Sequence, residues 1–274
     1  MATLVCFHAH PDDEAIGTGG TMAAAAAEGH RVVLVVATRG ERGEVAPEVL
    51  ADGEMLWERR ITETMASASI LGAERVEFLG YIDSGMMGEP TNDFPYCFWQ
   101  VDVDHAAHRL AAILSEESAD VLTVYDDNGG YGHPDHIQVH RVGVRAAQLA
   151  GVDRVFEGTM NQDHIRRSII QARAEMEADG VEPLDGAPTE ADLDGTTFGK
   201  PEIDLTHAVD VRAHLDTKRA AMAAHASQIP ADSWFLSLPP EQFSGAFGTE
   251  WFIEHGATRS VDAAFGTTLW SDLG

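Results

Sequence analysis

Thr3-Leu4-Val5-Cys6-Phe7-His8-Ala9-His10-Pro11-Asp12-Asp13-Glu14 begins as an apolar run and ends in a polar motif. The run predicts a strand. Pro11 cannot donate to a β-ladder, so the strand must stop before it. Residues 14–29 are rich in alanine and free of proline, and Gly29 supplies a C-terminal stop, so they predict a helix. On this reading residues 23–27 are helix interior and not a low-complexity tract. Residues 31–37 are almost continuously apolar and β-branched, the pattern of a strand buried on both faces of a parallel sheet. The chain thus opens as strand, helix, strand, with its first charged cluster at the carboxyl end of the first strand.

The same alternation continues. Helical spacing over 54–71 closes at Gly72, and 75–79 reads as a strand. Helices are expected over 102–117, 134–150 and 163–178, with Pro134 in the first turn of the second. Strands are expected over 120–125 and 154–157, and a late strand and helix over 207–211 and 212–226. This is the pattern of an α/β fold: a Rossmann-like, doubly wound, mostly parallel sheet with helices on both faces. The length of 274 residues suits one domain over 1–274. Residues 180–200 are acidic, rich in Gly, Pro and Thr, and aperiodic, so a mobile or functional loop is expected there. Residues 229–274 form a C-terminal extension dense in aromatics, with Trp234, Phe235, Phe243, Phe247, Trp251 and Phe252. Such residues pack in cores more often than they line pockets. Their functional alternative is a wall for an apolar aglycone or thiol conjugate.

Bulk composition narrows the partners. A formal net charge of −27 disfavours nucleic acid and anionic membrane surfaces. No apolar run reaches the roughly 20 residues that span a bilayer. The first residues read as a strand and not as a signal peptide, so a cytoplasmic protein is expected. Two cysteines, Cys6 and Cys97, are too few for a disulfide framework or a cysteine-based zinc site.

Ligands of open parallel sheets bind beyond the carboxyl ends of the strands. Two polar clusters fall there: His10-Pro11-Asp12-Asp13-Glu14 and Tyr131-Gly132-His133-Pro134-Asp135-His136. Imidazole and carboxylate suit zinc, and a catalytic site keeps one position for water. His10, one of Asp12 and Asp13, and one or both of His133 and His136 would make such a set. The remaining aspartate would be a general base and the remaining histidine a general acid. Spacing leaves the division open. His140 lies i, i+4 from His136, yet Ile137 stands where a zincin carries its glutamate, so His140 reads as supporting structure. His30, His105, His108, His164, His207, His214 and His255 are taken as structural. Gly17, Gly19 and Gly20 faintly suggest a dinucleotide loop, but the second strand ends in Thr38-Arg39-Gly40 with no ribose-binding acid. Close packing of a helix is the better account of these glycines.

The motifs Ala9-His10-Pro11-Asp12-Asp13-Glu14 and Gly132-His133-Pro134-Asp135-His136 resemble those of the PIG-L/LmbE-like zinc-dependent N-deacetylases. Thr38-Arg39-Gly40-Glu41, residues 79–86, Asn128-Gly129-Gly130-Tyr131 and residues 218–228, with their Ala224-His225-Ala226-Ser227-Gln228 segment, are similar to the mycothiol deacetylase and conjugate amidase branch. The resemblance implies one Zn2+ per chain, or another divalent metal such as Fe2+, on His10, Asp13 and His136. It implies Asp12 as general base. His133 would protonate the leaving amine or steady the oxyanion, and Tyr131 would stabilise the tetrahedral intermediate. Arg60, Asp83 and Met86 would lie near the sugar. The implied reaction is N-deacetylation of an N-acetylglucosamine-type amino sugar or glycoconjugate, in a soluble enzyme that could form a homo-oligomer. The alternatives are an amidase acting on a mycothiol-type thiol conjugate, a metal-dependent phosphoesterase, and a non-catalytic sugar-binding module.

Overall fold

The computed structural model describes residues 1–45, 47–178 and 198–271. Most of the loop expected over 180–200 lies outside these residues. Seven strands form one sheet in the order β3-β2-β1-β4-β5-β7-β6. They are β1 (Thr3–His8), β2 (Arg31–Thr38), β3 (Arg75–Tyr81), β4 (Val121–Tyr125), β5 (Arg154–Thr159), β6 (His207–Asp210) and β7 (Thr249–Glu254). The helices used below are α1 (Gly19–Ala27), α2 (Leu56–Ile70), α3 (Val103–Glu116), the single turn α4 (Gly129–Gly132), α5 (Pro134–Ala150), α6 (Gln162–Ala178) and α7 (Leu215–Ala224).

β1 to β5 are mutually parallel, and β7 runs antiparallel to both β5 and β6. The mixed α/β fold is therefore the one expected. The chain builds outward from β1 through β2 to β3, then returns to the other side of β1 for β4 and β5. That reversal places a crevice beyond the carboxyl ends of β1 and β4.

Alternation along each strand feeds two cores. Leu4 and Cys6 join Leu34, Met22, Leu71, Met222 and Phe252 on one face. Val5 and Phe7 join Val33, Leu110, Leu114, Val124 and Val142 on the other. Each fully buried side chain of this size contributes about 1.5–3 kcal/mol relative to exposure. Gly143 of α5 meets β4 so closely that an added Cβ would lie 2.3 Å from Val124 Cγ1. Gly20 of α1 is similarly tight, with Val211 Cβ at 2.4 Å, which accounts for that glycine by packing. Cys6 and Cys97 are free and buried.

Two local features depart from the anticipated elements. Residues 14–18 form a π-helical turn before α1, and the aromatic extension contributes β7 to the sheet interior. The edge of that insertion is fixed by a buried pair. Lys218 Nζ of α7 lies 2.5 Å from Glu250 Oε1 of β7. The Glu250 carboxylate also accepts the Gly20 and Thr21 amides at 2.8 Å each, satisfying the open N–H groups at the start of α1. Among the described residues, no helix is long and apolar enough to cross a membrane.

Candidate active site

Loops after β1, β2, β3 and β4 converge on the crevice. The loop after β1 is pinned at Ala9, whose carbonyl accepts the Thr38 amide and hydroxyl at 3.0 Å each. The Ala9 amide donates to the Tyr125 hydroxyl at 3.0 Å. The loop after β4 is shaped by buried Asp126, which accepts the amides of Asn128 and Gly130 at 2.9 Å each. Gly129 and Gly130 both adopt positive φ, and a Cβ on Gly129 would lie 2.6 Å from His136 Cβ. Only glycine permits this turn to close against α5.

Each histidine of the crevice has its tautomer set by a neighbour. His10 Nε2 faces the Asp135 carboxylate at 3.2 Å, and Asp135 is itself held by the amide (2.9 Å) and hydroxyl of Ser84. That assigns the His10 proton to Nε2 and leaves Nδ1 facing Asp13 Oδ2 at 3.3 Å. His136 Nδ1 meets the Gly129 carbonyl at 3.2 Å, so Nε2 carries the lone pair, 3.4 Å from the same Asp13 oxygen. His136 Nε2 is buried and has no hydrogen-bond partner among the described residues. Its ring stacks on Tyr125 with centroids 4.1 Å apart. Donor atoms about 2.0–2.1 Å from a tetrahedral zinc ion stand roughly 3.3 Å apart, so the two observed separations fit a shared divalent metal. The nitrogens of His10, His133 and His136 also lie within 4.8 Å of one another, as do donor atoms of His10, Asp83 and Asp135.

His133 caps α5, its Nδ1 accepting the Asp135 amide at 3.1 Å. A neutral His133 therefore carries its proton on Nε2. Burial, with the charges of His10 and His136, lowers its pKa to about 3, so it is neutral near pH 7. Burial opposes a charge on His10, but Asp83, Asp13 and Asp135 raise its pKa well above the ordinary histidine range. Burial would raise Asp13, yet His136 and His10 hold it well below the usual carboxylate range. A pocket that draws a proton this strongly attracts a cation, and a bound metal displaces that proton.

Asp12 is one of two described side-chain-bearing residues with positive φ, at 94°. Arg60 is buried on α2, and its guanidinium donates to the Pro11 and Gly40 carbonyls and reaches Asp12 Oδ2 at 3.3 Å. Burial raises the Asp12 pKa to about 6 against the pull of Arg60. Tyr131 sits at the mouth, 44% exposed, edge-on to His136 at 5.1 Å and to His133 at 6.2 Å. Burial and the Asp13 charge push its hydroxyl pKa up, which keeps it protonated.

The structure thus brings together His10, Asp12, Asp13, Tyr131, His133, His136, Asp83 and Arg60. Asp83 lies 3.6 Å from His10 Nε2, whereas Met86 is half exposed beyond it and joins none of these contacts. His140 turns to the Tyr125 carbonyl at 3.0 Å. Sequence reasoning assigned no role to Asp135, Tyr125, Asp126 or Glu14. Asp135 and Glu14 stand inside the two motifs, so their position was a signal. Tyr125 and Asp126 gave none beyond ending a strand.

A relative from Thermobifida fusca, a 1D-myo-inositol 2-acetamido-2-deoxy-alpha-D-glucopyranoside deacetylase, is 48% identical over 82% of this chain and 83% of its own length. A deacetylase of the same name from Acidothermus cellulolyticus is 42% identical over 92% of this chain and 88% of its own. The fold is shared with a 4-carboxy-2-hydroxymuconate hydratase from Pseudomonas putida, at a TM-score of 0.59 and 19% identity over 96% of this chain and all of that one. A shared fold therefore does not name the reaction. The family model for PIG-L, GlcNAc-PI de-N-acetylase, matches residues 5–147, which include both histidine–aspartate motifs. The chain belongs to the PIG-L family of N-deacetylases, hydrolases of amide bonds.

Proposed function

We propose that this chain removes the acetyl group from the amide nitrogen of a 2-acetamido-2-deoxyglucopyranoside joined to an inositol. His10, Asp13 and His136 would hold one zinc ion, and Asp12 would be the general base. The observation that carries this is the Asp12 carboxylate beside a convergent donor set, in a chain whose relatives are named for that deacetylation. His10 Nδ1 and His136 Nε2 are favoured because their tautomers leave both nitrogens facing one Asp13 oxygen, at 3.3 and 3.4 Å. His133 is left out because its Nδ1 is committed to the Asp135 amide. When bound, the metal would polarise the amide carbonyl and lower the pKa of a water towards about 7.

The protein's own groups then divide the proton work. Asp12, with a pKa near 6, is ionised at neutral pH and close enough to neutrality to release a proton again. It takes a proton from the attacking water and passes it to the departing nitrogen as the C–N bond breaks. His133 donates from Nε2 to the carbonyl oxygen as negative charge develops there. The Tyr131 hydroxyl, kept protonated, is the second donor. This assigns His133 to the oxyanion, the second of the two roles the resemblance offered. Asp83, Arg60 and Met86 are proposed to border the sugar, with Arg60 acting from behind Asp12. A cytoplasmic location is the companion reading, supported by two free cysteines and no disulfide.

The test pairs metal analysis with amine release. Protein purified with zinc should contain one metal per chain and release free amine from N-acetylglucosaminyl-inositol. Chelation should stop the reaction and zinc should restore it. A zinc-loaded protein that leaves this glycoside intact while hydrolysing phosphate esters, with two metals per chain, would reject the proposal.

A further inference from the structure

Asp12 holds a backbone conformation outside the favoured basin for a residue with a side chain, and such strain persists only where surrounding contacts impose it. Those contacts can be traced. The Asp12 carbonyl accepts the amides of Ala15 and Ile16 at 3.0 and 3.1 Å, the start of the π-helical turn. The Asp12 amide donates to Glu14 Oε2 at 3.0 Å. Glu14 is fully buried, and its other oxygen, Oε1, accepts the Ser67 hydroxyl at 2.6 Å and meets His225 Nε2 at 2.5 Å. Ser67 belongs to α2, and His225 stands at the C-terminal end of α7, 211 residues from Glu14. The α2 side chain Arg60 holds the other end of the same peptide through the Pro11 carbonyl.

We propose that Glu14, fixed by His225 and Ser67, is a positioning residue that forces the Asp12 backbone into its strained form and so aims the Asp12 carboxylate at the reacting amide. This rests on the assignment of Asp12 as general base. The Glu14 side chain spends its hydrogen bonds on the Asp12 amide, Ser67 and His225. Its carboxylate is a template for one backbone amide, and His225 brings the C-terminal part of the chain into register with a loop at its N-terminal end. A mispositioning of about 1 Å at a catalytic group can cost on the order of 10²-fold in rate, so a loss of the clamp should be visible in turnover.

The experiment is a mutant cycle on the full-length zinc-loaded protein, with methyl N-acetyl-α-D-glucosaminide as the probe. His225→Leu removes the donor to Glu14. His225→Gln keeps an N–H donor at similar reach. His225→Leu should lower kcat by about tenfold or more, with KM within about twofold and metal content unchanged. His225→Gln should recover most of that loss. In an Asp12→Asn background, His225→Leu should cost nothing further, because both changes act through one group. Full turnover in Asp12→Asn alone would overturn the general-base assignment. A deficient Asp12→Asn protein in which His225→Leu still brings its full loss would overturn the positioning role and leave that assignment standing. A rise in KM at unchanged kcat, lost zinc, or a Gln variant no better than Leu would also overturn the positioning role. If His225→Leu does not fold, Ser67→Ala replaces it in the same cycle with the same outcomes.

Discussion

Glu250 and Asp13 are carboxylates of the same fold, and their surroundings differ in kind. Glu250 receives an ammonium at 2.5 Å and two backbone amides at 2.8 Å, so both of its oxygens are hydrogen-bonded. Asp13 faces two imidazoles at 3.3 and 3.4 Å, and one of those nitrogens is buried without a hydrogen-bond partner among the described residues. The first arrangement holds α1, α7 and β7 together. The second leaves His136 Nε2 unsatisfied, which costs stability and favours a cation there. The contrast gives a rule for this molecule: substitutions around Glu250 should change folding and spare chemistry, and substitutions around Asp13 should do the reverse.

The largest effect should come from His136→Ala. Removing the open nitrogen should empty the metal site and reduce amine release to background, while the thermal midpoint without metal falls only modestly, because losing the Tyr125 stack and the Gly129 hydrogen bond is partly offset by removing an unsatisfied buried atom. Elemental analysis and calorimetry on one preparation check both halves. Full zinc occupancy in the variant would break the contrast on the Asp13 side. Next comes Asp12→Asn, expected to lower turnover by roughly 10²–10⁴-fold while zinc is retained. Here the comparison is between two adjacent carboxylates, one that should matter for metal and one for rate.

Much of the Asp13 region was legible in the sequence, and much of the Glu250 region was not. β1 and β2 show in near-continuous apolar runs because they are buried on both faces. The two motifs show because Pro11 and Pro134 mark where strand or loop must end. The choice of Asp13 over Asp12 did not show. The proposed choice draws on His10 Nε2 meeting Asp135, a contact across 125 positions that turns Nδ1 towards Asp13. β7 was missed for a similar reason. Its residues Trp251 and Phe252 look like general core, and only antiparallel pairing with both β5 and β6 makes the segment a strand. Lys218 gave no sign of burial, since nothing near it in sequence announces Glu250 as its partner.

On the other side of the contrast, Lys218→Met should destabilise the fold by about 3–5 kcal/mol, because Glu250 would be left buried without its cation. Turnover per folded molecule should stay within about twofold. Denaturant unfolding, followed by kinetics on the folded fraction, checks this. A variant as stable as the parent but slower would place Lys218 in the chemistry and blur the two regions.

The smallest effect concerns the one group of the β6–β7 region whose ionisation the fold resists. His207 on β6 is buried against the edge of Phe156, with ring centroids 4.9 Å apart, and Thr206 Oγ1 lies 2.8 Å from its Nδ1. Burial lowers its pKa, opposed by the charge of Glu254 and aided by that of Arg154. In the window below the unfolded value of about 6.5 the unfolded chain binds the proton that the folded chain refuses. Stability should therefore fall as pH drops through that value, and level off only once folded His207 also titrates. Thermal midpoints of the parent and of His207→Gln, taken between pH 7.5 and 5.5, isolate this share of the acid sensitivity. The difference between the two proteins should narrow as pH falls, because the variant has no proton to refuse. A constant difference would mean that the folded chain binds a proton at His207 as readily as the unfolded chain does.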